Sequence, residues 1–157
     1  MLKSTCFMQE KIFNQKFDVD CLELFNIVSD FKNFKKFCPD QIKEIKIIKK
    51  NNSIVETEEI LTFNTYFKNS VIKQKTIHEI DPTKSITSKI IEGPFKDTTI
   101  KIEFQEINNQ TEVNILGDIK VGLKYIILKP VIKKLQKGMI TALIYQMKNS
   151  LDRRNST

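Results

Sequence analysis

The chain has 157 residues, 40% of them hydrophobic, and a formal net charge of +7. This length and composition predict one globular domain over residues 1–157, with a core that needs no disulfide or metal to stabilise it. The lysines are spread along the chain without a block of like charge and without a nucleic-acid motif, so the sequence does not indicate nucleic-acid binding.

The cysteines and the first residues of the chain indicate the cellular compartment in which the protein is expected. Cys6, Cys21 and Cys38 are odd in number and widely spaced, which is not the pattern of a disulfide framework or a zinc knuckle. Free thiols persist in a reducing compartment, and the first residues include no apolar stretch of a secretory signal. The longest apolar runs have four residues, too few to span a bilayer. We therefore expect a cytoplasmic protein.

The N-terminal part of the chain predicts one strand followed by two short helices. Residues 5–16 mix apolar and polar side chains as a strand does, and Asp18 is a suitable N-cap for a helix that ends near residue 30. A second helix over residues 31–37 stops before Pro39, because a proline disfavours the helical conformation of the residue before it. The apolar stripe of this second helix consists of Phe31, Phe34 and Phe37.

From residue 41 to residue 121 the apolar residues recur at every second position, which is the period of a β-strand. Turn sequences such as Asp81-Pro82-Thr83-Lys84 and Asn108-Asn109-Gln110 separate the strands. Short connections join antiparallel strands, so we expect a curved antiparallel sheet of about seven strands with one apolar face. The six predicted strands after the helices are 41–50, 54–66, 70–80, 85–92, 98–107 and 111–121.

The last segment predicts a long amphipathic helix over residues 130–151 that starts at Pro130. The stripe predicted to face the sheet consists of Leu128, Val131, Leu135, Met139, Ala142 and Gln146. A second apolar stripe, about 130° around the helix, consists of Ile140, Ile144, Met147 and Leu151. Either the two short helices cover this second stripe, or it is an exposed patch, flanked by Lys137 and Lys148, that docks a partner protein or an anionic membrane.

The order of the elements and a few motifs resemble a known family. Residues 25–31 end in the Asp-aromatic step Asp30-Phe31, Pro39 follows the second helix, and Gly93-Pro94-Phe95 separates two strands. With the final helix at residues 128–151, nearly the whole chain resembles START-like (SRPBCC) domains, and among them the coenzyme Q-binding and polyketide cyclase branch. The resemblance implies an α+β helix-grip fold, in which the sheet grips the long C-terminal helix, and a hydrophobic cavity between the two.

The sequence offers little that could catalyse a reaction. His78 is the single histidine and the three cysteines are scattered, so neither a Cys–His nucleophile pair nor a three-ligand zinc site is indicated. No phosphate-binding loop, dinucleotide fingerprint or nucleophile elbow occurs. We therefore assign no catalytic residue, no metal and no cofactor.

In the strand over residues 70–80, the alternation places Gln74, Thr76 and His78 on the face turned towards the final helix. Buried polar side chains need partners, so these three either bond to neighbouring strands or are the polar anchors of an apolar pocket. A helix of about 33 Å cannot cover the whole sheet, which leaves room for such a pocket. The predicted lining residues are Phe63, Gln74, Thr76, His78, Phe95, Phe104, Leu135, Met139 and Leu143.

Three functions are compatible with these observations. The first, which we favour, is binding or transfer of a hydrophobic small molecule such as a lipid, an isoprenoid or a quinone-like compound. The second is an enzyme of the polyketide cyclase or dehydratase type, in which His78, together with Glu59 and Tyr66, would act on a chain held in the cavity. The third is an interaction module with a filled core, for which the basic face of the last helix suits an anionic partner.

Overall fold

The structure, a computed structural model, describes residues 9–64 and 69–156. The elements that these residues form are, in chain order, β1 (Glu10–Phe17), α1 (Cys21–Val28), a first 3₁₀ helix (Phe31–Lys36), β2 (Ile42–Asn51), β3 (Ile54–Asn64), β4 (Asn69–Asp81), β5 (Ser85–Glu92), β6 (Thr99–Ile107), β7 (Gln110–Asp118), a second 3₁₀ helix (Leu123–Leu128) and α2 (Lys129–Asn155). The beginning of the predicted strand 5–16 and the end of the predicted strand 54–66 lie outside the described residues. None of the described helices combines the length and the apolar character needed to cross a bilayer.

The strands form one antiparallel sheet with the spatial order β1-β7-β6-β5-β4-β3-β2. β2 to β7 are therefore neighbours in chain order, as in a meander, and β1 pairs with β7 at one end. The residues between β6 and β7 explain the turn that joins these strands. Asn108 and Asn109 have φ of 51° and 64°. A type I′ hairpin needs this pair of positive values, and asparagine tolerates them. The predicted helix-grip fold, a curved antiparallel sheet around a long C-terminal helix, is confirmed.

Local sequence explains how the short helices after β1 form and what they bury. Asp20 caps α1, because its side chain accepts a hydrogen bond of 2.9 Å from the backbone N–H of Glu23. The side chains that α1 and the first 3₁₀ helix bury are Leu24, Phe25, Val28 and Phe31. These four residues belong to the main core, which also contains the C-terminal half of α2 and the inner faces of β5 to β7.

α2 packs on the sheet through a different face from the predicted one. The predicted contacts Val131 and Ala142 are exposed, as are Leu128 and Gln146, whereas Leu135 and Met139 are half-buried. The residues that α2 buries are Ile132, Gln136, Ile144, Met147 and Leu151. They extend the second predicted stripe towards the N-terminus of the helix in steps of four residues. The polar Gln136 interrupts this stripe in the sequence, so the apolar periodicity alone favoured the wrong face.

The interpretation of the second stripe as an exposed docking patch is wrong. Ile144 is 1% exposed and Met147 is 0% exposed, and the half-buried Ile140 packs against the same core. Phe25 of α1 and Phe31 of the first 3₁₀ helix lie in that core too. The helices before β2 therefore cover the stripe within the chain, which leaves no surface centred on Ile144 and Met147 for a partner or a membrane.

We expect Ile144→Ala to destabilise the fold by about 2–5 kcal/mol, because the substitution removes buried methylene and methyl groups and leaves a cavity in the main core. The matched control Val131→Ala truncates an aliphatic side chain on the exposed side of the same helix. It should change the free energy of unfolding by less than about 0.5 kcal/mol. Urea denaturation followed by circular dichroism measures both values, and equal losses in the two variants would contradict this orientation of α2.

Candidate functional site

The inner faces of β3 and β4 carry polar side chains in the middle and apolar side chains at both ends. On β4 the inward positions are Ile72, Gln74, Thr76, His78 and Ile80, and on β3 they are Val55, Thr57, Glu59 and Leu61. The five polar members, Thr57, Glu59, Gln74, Thr76 and His78, are all buried. We call these five residues the polar belt. On these two adjacent strands, the belt lies between two apolar regions.

Glu59 is the centre of the polar belt. Its carboxylate accepts hydrogen bonds from Thr57 Oγ1 at 2.6 Å, from Gln74 Nε2 at 2.6 Å and from Thr76 Oγ1 at 2.9 Å. The register of the sheet brings these groups together, since Glu59 lies opposite Gln74 and Thr57 lies opposite Thr76. Three donors from two strands therefore surround one buried carboxylate.

The environment of Glu59 determines its charge. Burial raises the pKa of a carboxyl group. The ring of His78, whose Nε2 lies 3.7 Å from Glu59 Oε1, and the hydrogen bonds from Thr57 and Gln74 lower the pKa of Glu59 by more than burial raises it. The pKa of Glu59 therefore lies below its usual value, and the side chain is an ionised carboxylate at neutral pH. An ionised carboxylate only accepts hydrogen bonds, which determines how its neighbours must be oriented.

His78 is held on three sides. Its Nδ1 lies 2.7 Å from Ser88 Oγ, its Nε2 lies 2.9 Å from Thr57 Oγ1, and Phe31 stacks on its ring with the centroids 3.9 Å apart. Thr57 donates its one hydroxyl hydrogen to Glu59, so it accepts at its oxygen the hydrogen bond that His78 Nε2–H donates. Both ring nitrogens are thus occupied by protein partners.

Gln74 has a buried acceptor without a partner. Its Nε2 donates to the carboxylate of Glu59, which sets the orientation of the amide and turns Oε1 away from the belt. Four side-chain atoms among the described residues are buried without a hydrogen-bond partner: Thr62 Oγ1, Gln74 Oε1, Asn114 Oδ1 and Gln136 Oε1. Of these, Gln74 lies on the inner face of β4 and Gln136 on the buried face of α2. One acceptor therefore comes from the sheet and one from the helix that lies on it. Such an atom costs roughly 1–3 kcal/mol unless water or a ligand supplies a donor.

An apolar cluster lies next to Gln74, at the other end of β4 from the main core. Its buried members are Ile72, Phe95 and Ile132, and Phe63, Ile90, Val121 and Tyr125 pack against them. Ile72 and Gln74 are successive inward residues of β4. Phe63 and Phe95 meet edge to face, with ring centroids 5.5 Å apart. The cluster therefore joins β4, α2 and the connection between β5 and β6.

The sharp break that Gly93-Pro94-Phe95 predicts between strands is present, because β5 ends at Glu92 and β6 starts at Thr99. Gly93 has a φ of +111°, a value that residues with a side chain rarely adopt. A Cβ atom there would lie 2.8 Å from the carbonyl oxygen of Lys73 and 2.9 Å from Gln74 Cβ. Glycine thus lets the connection pack directly on β4, and Phe95 is buried as a result.

A groove of about 700 Å³ opens beside this connection. Its lining residues are Gly93, Pro94, Lys96, Asp97, Lys120, Val121, Gly122, Leu123, Lys124 and Tyr125. The backbone N–H of Gly122 donates to the carbonyl of Pro94 at 3.1 Å and links the two sides. Val121 and Tyr125 line the groove and also pack against the apolar cluster, so the groove borders that cluster. Its volume is in the usual range for a small-molecule site.

The sequence matches one protein family over most of its length. The family "Polyketide cyclase / dehydrase and lipid transport" matches residues 19–148. The chain belongs to this family. A search of curated proteins finds no match.

Solved structures of this family's fold are similar in shape but distant in sequence. The aromatase/cyclase Zhui from Streptomyces sp. R1128 is 9% identical, with a TM-score of 0.75 over 93% of this chain and 94% of that one. The protein TTHA0849 from Thermus thermophilus is 10% identical, with a TM-score of 0.76 over 93% and 98%. A START superfamily protein from Mycobacterium smegmatis is 16% identical, with a TM-score of 0.67 over 92% and 97%. At these identities the likeness shows the fold alone.

The residues predicted to line one pocket lie in different parts of the structure. Gln74, Thr76 and His78 lie in the polar belt, and Phe63 and Phe95 meet in the apolar cluster. Phe104 lies instead in the main core, 5.3 Å from the ring of Phe25. Leu143 packs between the main core and a small cluster formed by Cys38, Ile42 and Leu61. Leu135 and Met139 are half-buried on α2.

Sequence reasoning missed Thr57, Ser88 and Gln136, and it named Glu59 only as a partner in catalysis. Polar residues occupy both faces of β3, so its alternation does not show which face is buried. Tyr66, the other proposed partner of His78, lies outside the described residues. No group of three or more His, Cys, Asp or Glu side chains in the described part of the chain is arranged to hold a metal ion.

The lowered pKa of Glu59 predicts that the fold loses stability in acid. A carboxyl group with a lower pKa in the folded state stabilises the fold above its ordinary value of 4.5, and this contribution is lost as the pH falls through the folded value. Glu59→Gln has a similar shape but does not titrate. The free energy of unfolding of this variant should therefore fall less steeply below pH 4.5 than that of the unmodified protein. Urea denaturation at a series of pH values measures the slopes, and identical slopes would refute the prediction.

Proposed function

We propose that the protein binds a hydrophobic small molecule that carries a hydrogen-bond donor, in the region between the sheet and α2. The observation that carries this proposal is Gln74 Oε1, a buried acceptor whose direction Glu59 sets and which no described residue satisfies. It lies next to Ile72 on the inner face of β4, at the edge of the apolar cluster. An apolar surface with a few oriented polar groups is the usual composition of a small-molecule site.

Because Gln74 Oε1 is a hydrogen-bond acceptor, the proposed ligand must present a donor to it. Lipids, isoprenoids and quinone-like compounds all have an apolar body that suits Phe63 and Phe95. A quinone presents carbonyl oxygens, which cannot bond to the oxygen of an amide, whereas a hydroquinone, a phenol or an alcohol presents a hydroxyl hydrogen. The proposed ligand is therefore a hydroxylated member of these classes, and the groove beside Gly93 and Tyr125 is its proposed route of entry.

The proposed setting is the cytoplasm, and the proposed unit is one ligand-binding domain over residues 1–157. The described cysteines, Cys21 and Cys38, are free thiols. Burial raises the pKa of the Cys38 thiol, which favours the unreactive protonated form. These observations support a reducing compartment, because free thiols persist there.

Acid–base catalysis of the cyclase or dehydratase type is the second candidate function. The connection from Glu59 through the Thr57 hydroxyl to His78 Nε2 favours it, because such a chain can move a proton. The occupied ring nitrogens of His78 and the stacked ring of Phe31 weigh against it, since they leave no free nitrogen for a substrate. If it were correct, His78→Ala would abolish turnover of a linear poly-β-ketone and retain ligand binding.

The binding proposal predicts a preference for hydroxylated ligands that depends on Gln74. We expect 2-naphthol to displace the fluorescent probe 8-anilinonaphthalene-1-sulfonate more effectively than 2-methoxynaphthalene, which has the same apolar body without a donor. A single hydrogen bond should make the difference about three- to tenfold in affinity. Gln74→Met keeps the length of the side chain but removes the acceptor together with the donor to Glu59. It should abolish this preference, and circular dichroism checks that the variant is folded.

The matched control is Gln105→Met, the same substitution at an exposed position of β6. It should retain the preference of the unmodified protein. Equal affinity of the unmodified protein for the two naphthalenes would refute the role of Gln74. Failure of both compounds to bind would refute the binding function and favour a module with a filled core.

A further inference from the structure

A patch of aliphatic side chains is exposed where the chain leaves the sheet and enters α2. The second 3₁₀ helix contains no buried residue. The patch consists of Leu123 (87% exposed), Ile126 (55%), Ile127 (91%), Leu128 (43%) and Val131 (48%). Neighbouring exposed aliphatic residues of this kind mark interaction surfaces in soluble proteins, because each of them favours removal from water.

The segment of sequence that contains these residues carries charges of one sign. No Asp or Glu occurs between Asp118 and Asp152, whereas this segment contains seven lysines. Lys133 and Lys137 form ion pairs with Glu10 of β1. Lys124, Lys129 and Lys134 are exposed and have no carboxylate partner within the described residues. These three cations lie in the same short segment as the aliphatic residues, and together they form what we call the lysine-flanked patch.

We propose that the lysine-flanked patch docks on the surface of an anionic lipid bilayer. Aliphatic side chains at a bilayer surface enter the boundary between headgroups and acyl chains, and neighbouring lysines attract anionic headgroups. The patch offers both groups. A nucleic acid would use the lysines but leave five exposed aliphatic side chains in water, so phosphate binding alone does not account for the composition. The proposal rests on this surface and not on the proposed ligand.

The lysine-flanked patch adjoins the groove. Leu123 and Lys124 belong to the patch and also line the groove beside Gly93. A protein docked through the patch therefore presents the groove towards the bilayer. A hydrophobic molecule would then pass between the groove and the bilayer with little exposure to water. The stripe that contains Ile144 cannot dock in this way, because it is buried.

The first test uses a reporter for insertion. The chain contains no tryptophan, so Ile127→Trp introduces a single indole into the patch. Its emission should shift to shorter wavelength when vesicles of phosphatidylserine and phosphatidylcholine are added, and much less with vesicles of phosphatidylcholine alone. Leu22→Trp on α1 is the matched control, because Leu22 is also an exposed aliphatic residue on a helix. The absence of a shift at Ile127→Trp, or an equal shift at Leu22→Trp, would overturn the proposal.

The second test separates the patch from diffuse positive charge. Combined Lys124→Gln, Lys129→Gln and Lys134→Gln should weaken co-sedimentation with the phosphatidylserine vesicles by roughly fivefold per lysine at low salt. Lys32→Gln, Lys35→Gln and Lys36→Gln together remove the same charge from exposed lysines of the first 3₁₀ helix. Equal weakening by the two triple variants would refute a localised docking surface. Because all six lysines are exposed, thermal melting should be similar in both variants. Displacement of 8-anilinonaphthalene-1-sulfonate by 2-naphthol reports on ligand binding separately.

Discussion

The ionised carboxylate of Glu59 is the constraint on which the arrangement of the site depends. A charge removed from water costs several kcal/mol unless hydrogen-bond donors surround it. Thr57 of the same strand and Gln74 and Thr76 of β4 supply these donors. The register of β3 and β4 must therefore satisfy the carboxylate as well as the backbone. Satisfying it turns the amide of Gln74 in one direction, which leaves the carbonyl oxygen of Gln74 without a partner.

The polar belt also lies between two apolar clusters on the inner face of the sheet. On one side the C-terminal half of α2 packs with α1 in the main core, and on the other side Ile132 of α2 packs with Ile72 and Phe95. A continuous apolar core would favour close packing throughout, whereas a line of fixed polar groups interrupts it. His78 links the belt to the main core, because Phe31 stacks on its ring. The site thus has one well-packed side and one side that faces the groove.

Most of the fold could be predicted from the sequence, but only part of the candidate site could be. Strict alternation and asparagine-rich turns are local signals, so the strands and their antiparallel order follow from them. The face of α2 could not be predicted, because the buried Gln136 looks like a surface residue. The inward position of Gln74 and His78 followed from the exposed charges that alternate with them on β4. Glu59 gave no such signal, since its burial depends on donors from another strand and β3 is polar on both faces.

The close fit of Gly93 against Gln74 restricts which substitutions this chain can accept beside the polar belt. Any larger residue at position 93 would push on Lys73 and Gln74 and so disturb the donor to Glu59. Substitutions that reshape the apolar cluster must therefore lie elsewhere than at position 93. Changes in the size of Phe95 or Tyr125 alter the apolar surface without touching the carboxylate network. The molecule accordingly separates a position that tolerates no side chain from neighbouring positions whose side chains can change in size.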